Sequence, residues 1–187
     1  MNTYDTSLQT IILVDNQDNE IGQVPKITAH EQGLLHRAFS VILYRYNSKG
    51  ELEFLLQKRH TAKYHCGGLW TNTCCGHPSP GESIQAAATR RLFEETSIQT
   101  VLTQAGAFRY IAKFANTLTE HEFDHVLIAE YQETPQKFNS QEISEVRWVS
   151  QKSLEKALND EPYLYTPWLS QVLNKLKSKL ADSQELC

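Results

Sequence analysis

The chain has 187 residues, 40% of them hydrophobic, enough for one domain with a sizeable core spanning residues 1–187. Eighteen lysines and arginines against 22 acids leave a formal charge of −4, with no basic block for a nucleic-acid surface, no apolar run long enough for a transmembrane helix, and no basic-then-apolar N-terminal leader. Cys66, Cys74, Cys75 and Cys187 do not suggest a disulfide scaffold; free thiols suit a reducing cytoplasm, and the terminal Glu-Leu-Cys matches no lipidation or peroxisomal signal.

In chain order, Thr10–Val14 reads as a strand closed by the polar turn Asp15–Glu20. Ala38–Tyr46 and Leu52–Lys58 are β-rich runs joined by Asn47-Ser48-Lys49-Gly50, a hairpin signal. His60–Gly68 reads as a loop. Ser83–Thr96 reads as a helix, with no internal Gly or Pro and with Arg91 and Glu95 one turn apart. Phe108–Phe114 and Glu120–Tyr131 form a second strand pair turning at Ala115-Asn116-Thr117, Glu145–Val149 a short strand and Ser153–Asn159 a short helix. Thr166-Pro167 predicts a helix start, with Thr as cap and Pro in the first turn. Leu169, Val172, Leu173, Leu176 and Leu180 then form an apolar stripe along a C-terminal helix of about residues 167–181. Mixed strands and helices indicate α+β or α/β, and spacing alone does not choose the topology.

One stretch stands apart from this pattern. Gly76-His77-Pro78-Ser79-Pro80-Gly81-Glu82, followed by Arg90-Arg91-Leu92-Phe93-Glu94-Glu95-Thr96-Ser97-Ile98, has the frame of the Nudix box, a loop–helix–loop that presents carboxylates to a diphosphate-bound metal. Two positions break the frame: Arg91 stands where the box has an acid, and Ser97 where it has glycine. A box that gains a cation and loses a carboxylate retains the means to bind diphosphate but is poorly built to cleave it.

Four constellations carry possible chemistry. His30, His36 and His77, with Glu120 and Glu122 two apart on one strand face, are suited to hold a divalent cation such as Zn²⁺ or Mn²⁺. Taken alone, each of these residues reads better as a solvated surface residue without a ligand role. His60, His65, His121 and His125 are set aside as non-ligands, the last two alternating onto the opposite face. Cys75 lies beside the Gly76 turn, where a thiol tuned by neighbouring charge can act as nucleophile, acid or base. Cys74 alternates away from it and suits a buried core thiol, while a zinc knuckle of Cys66, Cys74, Cys75 and His77 lacks any C-x2-C pair. Lys26, Arg59, Lys63 and Arg91 are cations before and inside the box, of the types that bind diphosphate oxygens. Tyr110 and Trp168 are core candidates whose rings would also stabilise a developing cation.

Taken together, the sequence resembles type I isopentenyl-diphosphate Δ-isomerases of the Nudix superfamily from about Thr10 to Trp168. The resemblance rests on Lys26 with Ala29-His30, Leu35 to Ser40, Lys58-Arg59 with Lys63, Trp70-Thr71-Asn72 with Cys75 to Pro78, Gly81-Glu82, Arg90-Arg91, Glu95, Phe108 to Tyr110, Glu120 to Glu122 and Pro167-Trp168. It implies an α+β (α/β/α) Nudix fold, a mixed β-sheet flanked by helices, and it accounts for Arg91. It implies a divalent metal on His30, His36, His77, Glu120 and Glu122. It further implies a Mg²⁺ bridging the substrate diphosphate, with Glu95 and the Cys75 carbonyl contributing, and Lys26, Arg59, Lys63 and Arg91 facing the phosphates. Cys75 and Glu122 would exchange protons with opposite faces of isopentenyl diphosphate, giving dimethylallyl diphosphate through a tertiary carbocation. Tyr110 would bond near Glu122, and Trp168 would stabilise the cation. Gly67-Gly68 departs from a commoner Pro-Gly and is read as loosening its loop; Ser97 is read as altering the end of the box helix. Two rivals remain: a Nudix hydrolase of nucleoside diphosphate derivatives, favoured by Glu94-Glu95 and opposed by Arg91, and a metal-binding module without catalysis.

Overall fold

The computed structural model describes residues 9–63 and 65–184; Cys187 lies outside them. In chain order the elements are β1 (Thr10–Val14), β2 (Glu20–Pro25), α1 (Lys26–Gln32), β3 (His36–Tyr46), β4 (Leu52–Arg59), β5 (Trp70–Thr71), β6 (Cys74–Gly76), α2 (Ile84–Thr96), β7 (Thr103–Lys113), β8 (Thr119–Glu130), β9 (Ile143–Ser150), α3 (Gln151–Asp160) and α4 (Leu169–Gln184). The strands form one mixed sheet centred on β3. β3 runs parallel to β8, with His36 opposite Glu122, and antiparallel to β6, with Ser40 opposite Cys75. β4 continues the sheet through the Asn47–Gly50 hairpin, pairs beyond β3 on that same edge with β5, and pairs along its other edge with β9.

The sheet is covered on both faces, which is why β3 and β8 read as near-continuous apolar runs through their centres. One face carries Phe39, Val41, Leu43, Leu55 and Leu127 against Ala87, Ala88 and Leu92 of α2; the two alanines let that helix lie close. The other carries Ile42, Phe54, Leu56, Val126 and Ile128 against Leu154 of α3 and Leu169, Val172, Leu173 and Leu176 of α4. Each fully buried aliphatic side chain contributes roughly 1.5–3 kcal/mol of transfer free energy. These layers are helix, sheet, helix, the arrangement that the family resemblance implies.

Several local expectations need correction. Asp15–Glu20 is a turn, with the Asp15 carboxylate accepting from the backbone N–H groups of Gln17 and Asn19 at 2.8 and 3.0 Å, but β2 and α1 follow it where no element was expected. Thr166 does not cap α4: its hydroxyl meets that of Thr71 at 2.8 Å, and the helix begins at Leu169, whose N–H donates to the Thr166 carbonyl. At Gly67, read as loosening its loop, the backbone is closely approached. A β-carbon there would lie 2.6 Å from the Thr61 carbonyl oxygen, so close backbone approach is what requires glycine.

Ser97 preserves the geometry of the glycine it replaces. It ends α2 in the left-handed region at φ 59°, with its N–H donating to the Phe93 carbonyl at 2.8 Å. A residue with a β-carbon pays roughly 1–2 kcal/mol there, partly offset by the greater chain entropy of glycine. Ser97→Gly should therefore stabilise the protein by about 0.5–1 kcal/mol, read as a higher denaturation midpoint at unchanged m-value; an unchanged or lower midpoint would show the cap to be unstrained.

Candidate active site and metal centre

The strand pairings bring distant residues to one place. Side chains at His36, Ser40 and Ile42 share one face of β3; Glu120, Glu122 and Asp124 share the matching face of β8, because strand residues two apart point the same way. Cys75 stands opposite Ser40 on the far side of β3 from β8. Cys75 and Glu122 thus belong to strands on either side of β3 and line a single cavity of about 400 Å³. Cys74 is fully buried against the α2 layer, as its alternation implies.

His30, His36, His77, Glu120 and Glu122 converge, with one potential ligand atom from each lying within 4.8 Å of all the others. All five are buried. α1 delivers His30, and its ring Nδ1 lies 2.7 Å from the Lys26 carbonyl; His36 Nδ1 lies 2.8 Å from the Leu34 carbonyl. A carbonyl can only accept, so both rings donate from Nδ1 and turn Nε2 inward. His36 Nε2 has no hydrogen-bond partner among the described residues. His30 Nε2 faces Glu120 Oε2 at 3.1 Å, and His77 Nε2 faces Glu122 Oε1 at 3.0 Å.

Burial would lower the His30 imidazole, but its hydrogen bond to the Glu120 carboxylate leaves it raised above its ordinary value. Burial pushes the His77 imidazole down to about 3, so the ring is neutral. Burial alone would raise both carboxyls, yet His30 and His65 hold Glu120 well below its usual range, and His36 and His77 hold Glu122 below its own. Inward-turned imidazole nitrogens, ionised carboxylates and a buried His36 Nε2 without a hydrogen-bond partner among the described residues fit a divalent cation.

The remaining candidates surround this cluster. Tyr110 donates to Glu122 Oε2 at 2.7 Å, and its ring lies 5.8 Å from that of Trp168. The Cys75 thiol donates to Asn72 Oδ1 at 3.2 Å and is pushed up to about 12 by burial. Lys26, Arg59, Lys63 and Arg91 all line the cavity. Arg59 Nε is buried without a hydrogen-bond partner among the described residues, a donor waiting for an acceptor. Arg91 is engaged by Glu94 at 2.7 Å, Glu95 at 2.5 Å and Glu142 at 3.4 Å. Glu95 also accepts from Gln57 at 3.1 Å; it lines the cavity but, like Cys75, stands outside the five-residue cluster.

The sequence reading missed four participants. His65, set aside as a non-ligand, is buried with Nε2 on Glu120 Oε1, although it is not among the five converging groups. Asp124 continues the Glu120 and Glu122 alternation and accepts from Ser40 at 2.7 Å; that period-two spacing was a usable signal. Glu142 pairs with both Lys63 and Arg91, and Asn72 is saturated with hydrogen bonds. Asn72 stood in the Trp70-Thr71-Asn72 motif without being given a role, and nothing local marked Glu142.

Comparison with known proteins follows the geometry. A NUDIX domain model matches residues 34–169. The chain is 46% identical over 176 residues to a Photobacterium profundum protein named isopentenyl-diphosphate Delta-isomerase, covering 93% of this chain and 97% of that one. It is 44% identical over 168 residues to isopentenyl-diphosphate Delta-isomerase 2 of Photorhabdus laumondii, covering 90% and 92%. Among solved structures, a Deinococcus radiodurans protein superposes with a TM-score of 0.69 at 20% identity, covering 89% of this chain and 98% of that chain, a likeness of fold.

Proposed function

The chain belongs to the isopentenyl-diphosphate Delta-isomerases of the NUDIX family, and we propose that Cys75 and Glu122 are the proton-transfer pair with which it interconverts isopentenyl and dimethylallyl diphosphate. The observation that carries this reading is the placement of the two groups on strands flanking β3, lining one cavity with Trp168. An alkene is a very weak base, so one group must be held against its terminal carbon to deliver a proton. The resulting tertiary cation loses a proton from C2 to the other group, and the double bond moves by one position. Water would trap that cation as an alcohol, so the cavity must exclude water during the reaction.

Tyr110 orients Glu122 through its 2.7 Å hydrogen bond. Lys26, Arg59, Lys63 and Arg91 hold the diphosphate end of the substrate, Arg by planar fork and Lys by compact charge. His30, His36, His77, Glu120 and Glu122 would hold a divalent metal, whose charge would order the carboxylates and shift the acidity of Glu122. Glu95 and the Cys75 carbonyl would serve a Mg²⁺ bound with the diphosphate. Incubation with isopentenyl diphosphate and Mg²⁺, with products identified by NMR and mass spectrometry, tests the activity. Dimethylallyl diphosphate supports it; release of phosphate would identify a hydrolase.

Trp168 is read as stabilising the cation with its ring face. Cation–π attraction weakens from Trp to Phe and is worth roughly 0.5–2 kcal/mol. Trp168→Phe should slow turnover about tenfold, the equivalent of about 1.4 kcal/mol, with substrate affinity kept. Wild-type turnover in a folded Trp168→Leu would return this ring to core packing.

Lys26 gives a pH test. Burial, opposed by the neighbouring Glu120 carboxylate, pushes its ammonium down to about 8. The charge is present below that value and lost above it, so kcat/KM should fall as pH rises through about 8. Lys26→Arg, charged throughout, should move that fall upward, and an unmoved alkaline limb would remove Lys26 from phosphate binding.

A further inference from the structure

We propose that Asn72 is a positioning residue that sets both the Cys75 thiol and the Trp168 indole through one amide oxygen. The inference rests on the reading of Cys75 and Trp168 as groups that meet the substrate. Asn72 is fully buried and does not line the cavity. Its Nδ2 donates to the backbone carbonyls of Val41 at 3.0 Å and Cys74 at 2.8 Å. Carbonyls cannot donate, so those two bonds fix the amide's orientation and turn Oδ1 the other way.

Three donors meet that oxygen: the Cys75 thiol at 3.2 Å, the Trp168 indole N–H at 3.1 Å and the Thr71 hydroxyl at 2.9 Å. With its proton given to Asn72, the Thr71 hydroxyl accepts from that of Thr166 at 2.8 Å, two residues before Trp168. A single side chain thereby ties β6, which carries the thiol, to the segment that carries the ring. Thiol and ring, 93 positions apart in sequence, thus share one hydrogen-bond acceptor.

Because Asn72 cannot touch the substrate, its loss should appear in turnover and not in binding. Misplacing a reacting group by about 1 Å can cost on the order of 10²-fold. Asn72→Ala and Asn72→Ser should therefore lower kcat by roughly 10- to 10²-fold with KM nearly unchanged. Trp168→Phe already lacks the indole N–H, so the same substitutions made in that background should cost distinctly less, a non-additivity that marks a shared interaction. Equal fold-losses in both backgrounds, or a loss confined to KM, overturn the proposal. A measurement on the otherwise unaltered protein covers the case in which the Asn72 variants do not fold. The infrared S–H stretch of Cys75, assigned by its disappearance in Cys75→Ala, should lie at the lower frequency of a hydrogen-bonded thiol; a free-thiol frequency overturns the proposal. Wild-type turnover in Cys75→Ala would instead overturn the assignment of Cys75 itself, so the two failures are distinguishable.

Discussion

Cys75→Ala should fold, bind isopentenyl diphosphate and lose turnover by about 10²–10⁴-fold, the usual contribution of a positioned proton-transfer group. The loss should fall on kcat, because the group acts in the transition state and not in ground-state binding. The neighbouring cysteine is the internal control. Cys74 faces the α2 layer among Phe39, Val41 and Leu92, so Cys74→Ala should cost some stability and leave the chemistry near normal. Glu122→Gln should match the Cys75→Ala loss, with an added metal defect, since Glu122 also belongs to the convergent cluster. Turnover near wild type in Cys75→Ala would remove the thiol from the mechanism.

Metal dependence is the second large effect. Chelation should abolish activity, and a divalent cation should restore it. His77→Ala removes a neutral imidazole facing Glu122 at 3.0 Å and leaves two buried carboxylates with one neighbour fewer. Even changes beside a metal ligand typically cost 10–100-fold in affinity, so loss of a ligand should exceed that. Elemental analysis of the purified variant should show little bound metal, with secondary structure retained. Full occupancy there would mean that the ion, if any, sits elsewhere.

Much of this was legible in advance because it is local and periodic. The hairpin of β3 and β4, the helix of the box, and the strand pair β7 and β8 all follow from alternation, turn residues and the absence of breakers. The Glu120 and Glu122 pair followed from a period of two. What escaped is non-local or weakly signalled. α1 has seven residues, no side-chain N-cap and only Gly33, at φ 64°, to mark its end, so its propensity is overridden by the burial of Ala29 and His30. β2 is a half-exposed strand beside β1. His65 looked like one more loop histidine, and only the packing of its loop against Glu120 gives it a place. Thr166 resembled a cap because its sequence context was right; the hydroxyl of Thr71 offered a buried partner instead.

The parallel pairing of β3 with β8 also sets when the metal centre can come into being. His30 and Glu120 are 90 residues apart in sequence, and β3 can pair with β8 only after the intervening chain has been brought round. Such long-range closures are slow and come after local hairpins and helices have formed. On the ribosome, a chain emerging from its N-terminus exposes all three histidines, His30, His36 and His77, well before either carboxylate exists to join them. Metal capture would thus be a late event in the biogenesis of this protein, and ion uptake during refolding would report completion of the sheet rather than its initiation.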